Sequence, residues 1–382
     1  MSRERARAAL NGEMTDRIPQ WDVPDCPALA EQLFDYNVQA EPHRACIGML
    51  KHFDVDATIS SIPGDCAEWN FPLVRYYEDA TFTDDPENER YKSLPRAPSP
   101  RPYNSMYDAL GMKAHGAFWG FSPTLTMQNH PCSSPEEVLE FQPLDHFTQS
   151  QTERAAFFKN HYAEKQTLLG DSTMVMGWYY HTLFMWPVEL FGWENFMMAA
   201  MDDPKRFEEM LLQFLEVSKR DFSAMCESPD IELIGCHDDL CSANGPMFPP
   251  EWYDQYIFPH YNEVLDIIHS AGKKAFFCCD GNLMPLLDRI RATDFDGIAC
   301  DGNNDLETVL DVFSGKTIFA CMQNPNIINF GSPDEIRDMV RETAKLAKRE
   351  PGYFFSAGTM TGKTPPENIL IYQEAVRKFG AR

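Results

Sequence analysis

Thiols, imidazoles and carboxylates recur at short intervals through the middle and C-terminal third of this chain. Cys236, His237, Asp238 and Asp239 form one group, and Cys278, Cys279 and Asp280 a second; Cys300 with Asp301, and then Cys321, follow. These are the donor types that bind zinc, and three of them around an open position make a Lewis acid for a substrate heteroatom. No zinc-finger spacing is present, so a site has to be assembled in space rather than along the chain. Cys278 and Cys279 are neighbours whose side chains face opposite sides of a strand, which lets one of them serve such a site. Packing as a small buried hydrophobe is the competing explanation for any single thiol.

The stretch GWYYHTLFMWPVELFGWENF at 177–196 holds eight aromatic residues in twenty, too many for a surface. Most belong to the core, while Trp178, Tyr180 and His181 at its start are candidates to line an apolar pocket for substrate. Asp22 closes an early apolar run and is a further substrate-binding candidate. The diacid Asp238 and Asp239 reads either as acid–base machinery or as helix capping.

Eight short apolar runs bounded by turn residues must position these groups: RIPQWD (17–22), DATISS (56–61), TMVMGW (173–178), IELIGCH (231–237), KAFFCC (274–279), GIAC (297–300), TIFACM (317–322) and YFFSA (353–357). Helical or irregular stretches follow each one, and eight strand-plus-crossover units predict a single α/β domain over 1–382, a (β/α)8 TIM barrel. Active sites of such barrels lie at the carboxyl ends of the strands, and five of the eleven cysteines fall at the ends of four consecutive runs. Ser332 to Glu335 reads as a capping box with proline at the first helical position, and Ser134 to Glu137 as a second. Residues 250–269 carry apolar positions at helical spacing and predict one helix through Pro259. A proline-rich, charged insertion at about 70–150, between the second and third strands, suits a lid or a homodimer contact.

With 33 basic and 58 acidic residues the chain carries a formal charge of −25, which excludes nucleic acid as a natural partner and suits docking of a basic protein. The charged N-terminus lacks a signal-peptide core and no apolar run approaches a membrane span, so the expected location is the cytoplasm. An odd number of cysteines scattered along a long chain is not a disulfide framework.

The run DDLCSANGPMFPPEWYDQYIFPHYNEVLDIIHSAGKKAFFCCDGN, followed by DFDGIACDG, FGSPDEIRDMV and KTPPENI, resembles the uroporphyrinogen decarboxylase superfamily. The resemblance is dense over 237–380, and DRIPQWD and HPCSSPEEVLEF fit it more loosely. It implies a (β/α)8 barrel that is either a tetrapyrrole decarboxylase or a methyltransferase working with a corrinoid protein. DVPDCPALAEQL stands where the decarboxylases carry an arginine-rich signature, and SAGTMTGKTP replaces their late Gly-His-Gly. The methyltransferase branch is therefore the closer likeness. Its zinc enzymes show His-x-Cys-Gly at the fifth strand and a further cysteine near the eighth; here Cys278 stands at the histidine and Asp280 at the cysteine.

The resemblance implies a methyl donor such as an aryl methyl ether, a methylamine or a methylthiol, with cobalamin on a partner protein as acceptor and O-demethylation as one form of the activity. Zinc is expected on His237, Cys278, Asp280 and Cys321. His237, Asp239 and Cys278 are the expected catalytic groups, with Asp22, Trp178, Tyr180 and His181 binding substrate. The alternatives are a metal-independent decarboxylase or lyase using Asp22 or Asp239, and a barrel that binds corrinoid without turnover.

Overall fold

A computed structural model describes residues 2–38, 41–59, 81–82, 114–118, 123–127, 129–147, 149–322, 324–360, 362 and 364–382. Eight strands close into a parallel barrel: β1 Gln20–Pro24, β2 Ala57–Ile59, β3 Met174–Tyr179, β4 Leu233–His237, β5 Lys274–Cys279, β6 Gly297–Asp301, β7 Thr317–Met322 and β8 Tyr353–Met360. Each pairs with its sequence neighbour, and β8 closes onto β1. All eight lie on runs expected from sequence. Strands packed on both faces read as short continuous apolar segments, which makes them legible.

Two apolar layers follow from the twofold period of each strand. The barrel interior holds Trp21, Met174, Met176, Trp178, Phe276, Cys278, Phe319 and Phe354, while the alternate residues, such as Phe277, Cys279 and Cys300, pack under the helices. Gly235 makes room for this filling, since a Cβ there would sit 2.5 Å from the Trp178 ring and 2.7 Å from that of Phe276. The N-terminal helix Ser2–Leu10 adds Ala6, Ala9 and Leu10 to the same interior cluster and closes the barrel at the amino ends of the strands.

Between β2 and β3 runs the insertion. Its described strands, Thr81–Phe82, Ala114–Phe118 and Pro123–Met127, form a separate three-stranded sheet, and the remainder of 60–128 lies outside the described residues. By Pro135–Glu140 the chain is back in the helical layer, earlier than the boundary near 150 read from sequence.

Helix ends follow the expected chemistry with two corrections. Ser332 and Glu335 form the reciprocal capping box, as do Ser150 and Glu153. Ser134 does accept from the Glu137 N–H, but the Glu137 carboxylate turns one residue further back, to the N–H and hydroxyl of Ser133. The single helix expected over 250–269 is two, Pro250–Tyr256 and Phe258–Ser270. Pro259 has no N–H to give and its ring crowds the preceding turn, so the helix stops at Ile257 and restarts with proline in its first turn. Among the described residues no helix is long and apolar enough to cross a membrane.

Asp22 illustrates what the helical layer does to a carboxyl. It sits on β1 facing away from the barrel interior, fully buried, where it accepts from the Ala357 N–H at 2.6 Å and from the Gln20 amide, which also reaches Gln373 at 3.0 Å. Burial outweighs these hydrogen bonds and pushes its pKa up to about 8 from an ordinary 3.8. The folded chain thus keeps a proton that the unfolded chain releases, so stability is lost as pH rises from about 4 to about 8. Asp22→Asn is expected to flatten that slope, which is worth about 5–6 kcal/mol across the window. Urea unfolding at pH 5 and pH 9 measures it, and equal slopes in parent and variant would refute it.

Candidate active site

Three levels of side chains can be followed up the barrel interior by strand register. The lowest is aromatic: Trp21 lies 5.2 Å from Phe319, Trp178 5.9 Å from Phe276, and Phe276 4.4 Å from Phe319, centroid to centroid. Above it, Cys278 on β5 is the register partner of His237 on β4 and of Ala299 on β6. Two residues on, at the strand ends, come Asp239, Asp280 and Asp301. The i, i+2 spacing of His237 with Asp239, Cys278 with Asp280 and Ala299 with Asp301 keeps each pair on one face.

The His237 Nε2 and Asp239 Oδ1 lie 2.9 Å apart, and Asp239 Oδ1 also accepts the Asp280 N–H at 2.9 Å. Ligand atoms of His237, Asp239 and Asp280 all lie within 4.8 Å of one another, a group able to hold a metal ion. Around them stand Tyr180, whose ring centroid is 4.4 Å from that of His237, and Trp178 at 5.3 Å. The Tyr180 hydroxyl approaches Asp239 Oδ2 at 3.5 Å. Nδ1 of His237 is buried without a hydrogen-bond partner.

The turn carrying Asp280 is fixed from two sides. Asp301 Oδ2 accepts the Gly281 N–H at 2.8 Å, and Asn304 accepts from the Leu283 N–H while donating to the Gly281 carbonyl, 2.8 and 2.9 Å. Ser242, on the short hairpin Cys241–Ser242 and Gly245–Pro246, accepts the Asn282 N–H at 2.9 Å. Gly281 has φ +86°, and a Cβ there would lie 2.6 Å from the Ser242 carbonyl oxygen. Gly281→Ala is expected to cost about 1–3 kcal/mol through strain and to displace Asp280. Urea unfolding reads the first effect and titration of the variant with a divalent metal ion the second; parental values for both would remove this role.

Electrostatics at the rim follow burial and mutual charge. Burial pushes the Asp280 carboxyl up to about 7, reinforced by Asp239 and relieved by His237. Burial also lifts Asp301. For His237 burial works downward, but the charge and hydrogen bond of Asp239 raise it overall; for Asp239 burial works upward, and the imidazole brings it below the usual carboxylate range. Cys278 is a buried thiol whose pKa lies well above the ordinary value, from burial first and then from Asp280, Asp239 and Asp301.

The residues expected from sequence divide accordingly. His237, Asp239, Asp280, Trp178 and Tyr180 are brought together, with Cys278 level with His237 on the next strand. The group that could hold a metal joins His237 and Asp280 with the Asp239 carboxylate and, among the described residues, includes no thiol; the side chain of Cys321 lies outside the described residues. Asp22 faces the helical layer, away from the cluster. His181, one position out of phase with Trp178 and Tyr180, turns outward to bond Glu189 at 2.5 Å and stack on Trp186. Cys300 is equally out of phase and packs under the helices. Asp301 was named among the strand-end donors but given no role, and Asn304 was missed from sequence; Asp301 shares the face of Ala299, a signal available from strand alternation.

The diacid splits into two jobs. Asp238 is fully buried and accepts the N–H groups of Leu183, Phe184 and Met185 at 2.7, 3.0 and 2.9 Å, plus the Tyr261 hydroxyl at 2.8 Å. It anchors the start of helix Met185–Phe191, while Asp239 faces the site.

A closed parallel barrel with a histidine–carboxylate cluster at the carboxyl ends of its strands has the architecture of a TIM-barrel enzyme. The chain belongs to the uroporphyrinogen decarboxylase (URO-D) family, which it matches over residues 129–379. Among solved structures it is similar to a methyltransferase from Methanosarcina mazei, with a TM-score of 0.63 and 16% identity over 99% of this chain and 98% of that one. It also matches a B12-independent methionine synthase from Shewanella sp. W3-18-1 in complex with selenomethionine, with a TM-score of 0.37 and 12% identity over 58% and 65% of the two chains. No curated protein matches the sequence.

Proposed function

We propose that the protein moves a methyl group from a small donor, an aryl methyl ether, a methylated amine or a methylthiol, to the cobalt of a corrinoid carried by a partner protein. The observation that supports this reading is the group His237, Asp239 and Asp280 at the mouth of an aromatic-floored barrel in a member of this family. Zinc fits the donor set: imidazole and carboxylate are both zinc ligands, and a tetrahedral shell separates its ligand atoms by about 3.3–3.5 Å, within the spread seen here. Bound zinc supplies a Lewis acid for the heteroatom that carries the methyl group.

This chain's own residues do the rest. His237, Asp239 and Asp280 would hold the ion, and Asp301 with Asn304 holds the turn that bears Asp280. Trp178 and Tyr180 form an apolar wall that orients the donor and keeps water from the transferring carbon. Cys278 stands beside His237 as its register partner on the next strand. The acidic chain provides the field that draws in a basic carrier protein.

The test is methyl transfer to free cob(I)alamin by zinc-loaded protein, followed by the change in the cobalamin spectrum, with one donor from each of the three classes. Transfer from at least one donor is expected. Failure with all three would overturn this reading, and release of carbon dioxide from a small carboxylic acid would replace it with the lyase one.

A further inference from the structure

We propose that the small molecule taken into this barrel carries an uncharged oxygen acceptor at the end away from His237, Asp239 and Asp280, and that the indole N–H of Trp21 binds it. The inference rests on the proposed reading only in making that molecule the methyl donor. Trp21 Nε1 is buried without a hydrogen-bond partner, as is His237 Nδ1. The imidazole belongs to the cluster at the rim, whereas the indole stands deeper, on β1, with ring contacts alone. A buried tryptophan N–H normally finds an acceptor, because leaving it dry forfeits the hydrogen bond it makes to water in the unfolded chain. Its ring neighbours, Phe319 at 5.2 Å, Trp178 at 6.1 Å and Phe276 at 6.2 Å, restore little of that loss, since an aromatic face is a weak acceptor.

Exposure inside the barrel marks how far a ligand descends. Phe276, Phe319 and Phe354 have no accessible surface, whereas Trp21 keeps 3%, Val23 4%, Ile59 8%, Trp178 6% and Cys278 2%. With His237 on β4, these residues of β1, β2, β3 and β5 trace one side of the interior from the rim down to Trp21. Trp178 joins the two ends, its ring 5.3 Å from that of His237 and 6.1 Å from that of Trp21. The indole nitrogen is itself covered, but the second side-chain torsion of an aromatic residue is soft, and a modest turn of the ring presents the N–H to the space above it.

The chemistry of the acceptor follows from these surroundings. An indole N–H donates and accepts nothing, so its partner is an acceptor. Met174, Met176, Phe276 and Phe319 in the same cluster are apolar, and a carboxylate or ammonium among them would be stripped of water. A carbonyl, ether or hydroxyl oxygen is satisfied there by one hydrogen bond. A lone water fits less well, because a buried water takes about two to four polar partners and these neighbours offer none.

Two ligands of nearly one shape test the proposal on the full chain: 4-methoxyacetophenone, which carries a carbonyl oxygen opposite its methoxy group, and 4-isopropylanisole, which has a methyl group in that oxygen's place. Nuclear magnetic resonance of protein with nitrogen-15-labelled indoles follows the Trp21 N–H, assigned as the cross-peak lost in Trp21→Phe or Trp21→Tyr. The ketone is expected to move that proton downfield and the isopropyl compound to leave it in place. By calorimetry, Trp21→Phe should weaken the ketone about tenfold and change the isopropyl compound by less than about twofold. The contrast between ligands in the parent protein decides the matter even where a variant folds poorly. A cross-peak moved by neither compound or by both alike, equal loss of the two in the variant, or no binding by either would each overturn the proposal. The two ideas fail separately. The expected N–H shift without methyl transfer from any donor defeats the reading alone, and methyl transfer from both compounds alike with an unmoved cross-peak defeats the inference alone.

Discussion

His237→Ala is expected to lower methyl transfer by at least about a hundredfold and to take zinc occupancy from near one per chain to a small fraction. The imidazole is the single nitrogen in the group that could hold a metal, and its removal also frees Asp239 from its partner, leaving three carboxylates with no positive partner among the described residues. Crowded carboxylates hold protons rather than metal when their mutual repulsion is uncompensated. Metal analysis of parent and variant, beside the cob(I)alamin assay, separates the outcomes. Lost transfer with full zinc would make His237 a substrate-positioning group, and full transfer would remove it from the mechanism. Cys278→Ala provides the contrast. If the thiol only packs beneath the site, zinc remains and transfer falls little; loss of both would restore a thiolate to the ligand set.

Asp238→Ala should carry the largest stability cost of any single change near the site, about 3–5 kcal/mol. Four buried donors converge on that carboxylate, and alanine leaves three backbone N–H groups and the Tyr261 hydroxyl without an acceptor. Asp238→Asn keeps one acceptor oxygen and should cost roughly half as much. Burial pushes the Asp238 carboxyl up to about 6 against those hydrogen bonds, so part of the anchoring is spent holding a charge in a dry place. Urea unfolding of the two variants gives the comparison. Equal, small losses would mean that water takes the carboxylate's place.

The barrel was legible in the sequence because each strand of a parallel sheet buried on both faces is a compact apolar run with a polar residue waiting at its end. KAFFCC and TIFACM coincide with β5 and β7 to the residue. What could not be read was lateral register. Aligning the fifth strand by its Gly281 put a thiol where a histidine was expected, yet the histidine is present one strand over, at the position paired with Cys278. Ligands supplied by neighbouring strands are interchangeable in space and unrelated in sequence, so the Asp239 carboxylate entered the group unforeseen. Strand alternation alone separates Trp178 and Tyr180 from His181, and that rule was available without coordinates. Pro259 was visible too; that it ends one helix and begins the next depended on Ile257 leaving the helical region.

The aromatic filling and the N-terminal helix make this barrel a well rather than a channel. Trp21, Phe276, Phe319 and Phe354 pack ring to ring across the floor, and Ser2–Leu10 joins the same cluster from the amino ends of the strands. Whatever enters must come and go by the mouth, and a macromolecular acceptor pressed against that mouth is also its stopper. Under the proposed methyl transfer, that topology would set the order of events: donor first, acceptor second, demethylated product released only after the acceptor lifts away. An excess of acceptor should consequently slow turnover at low donor and lose that effect as donor saturates.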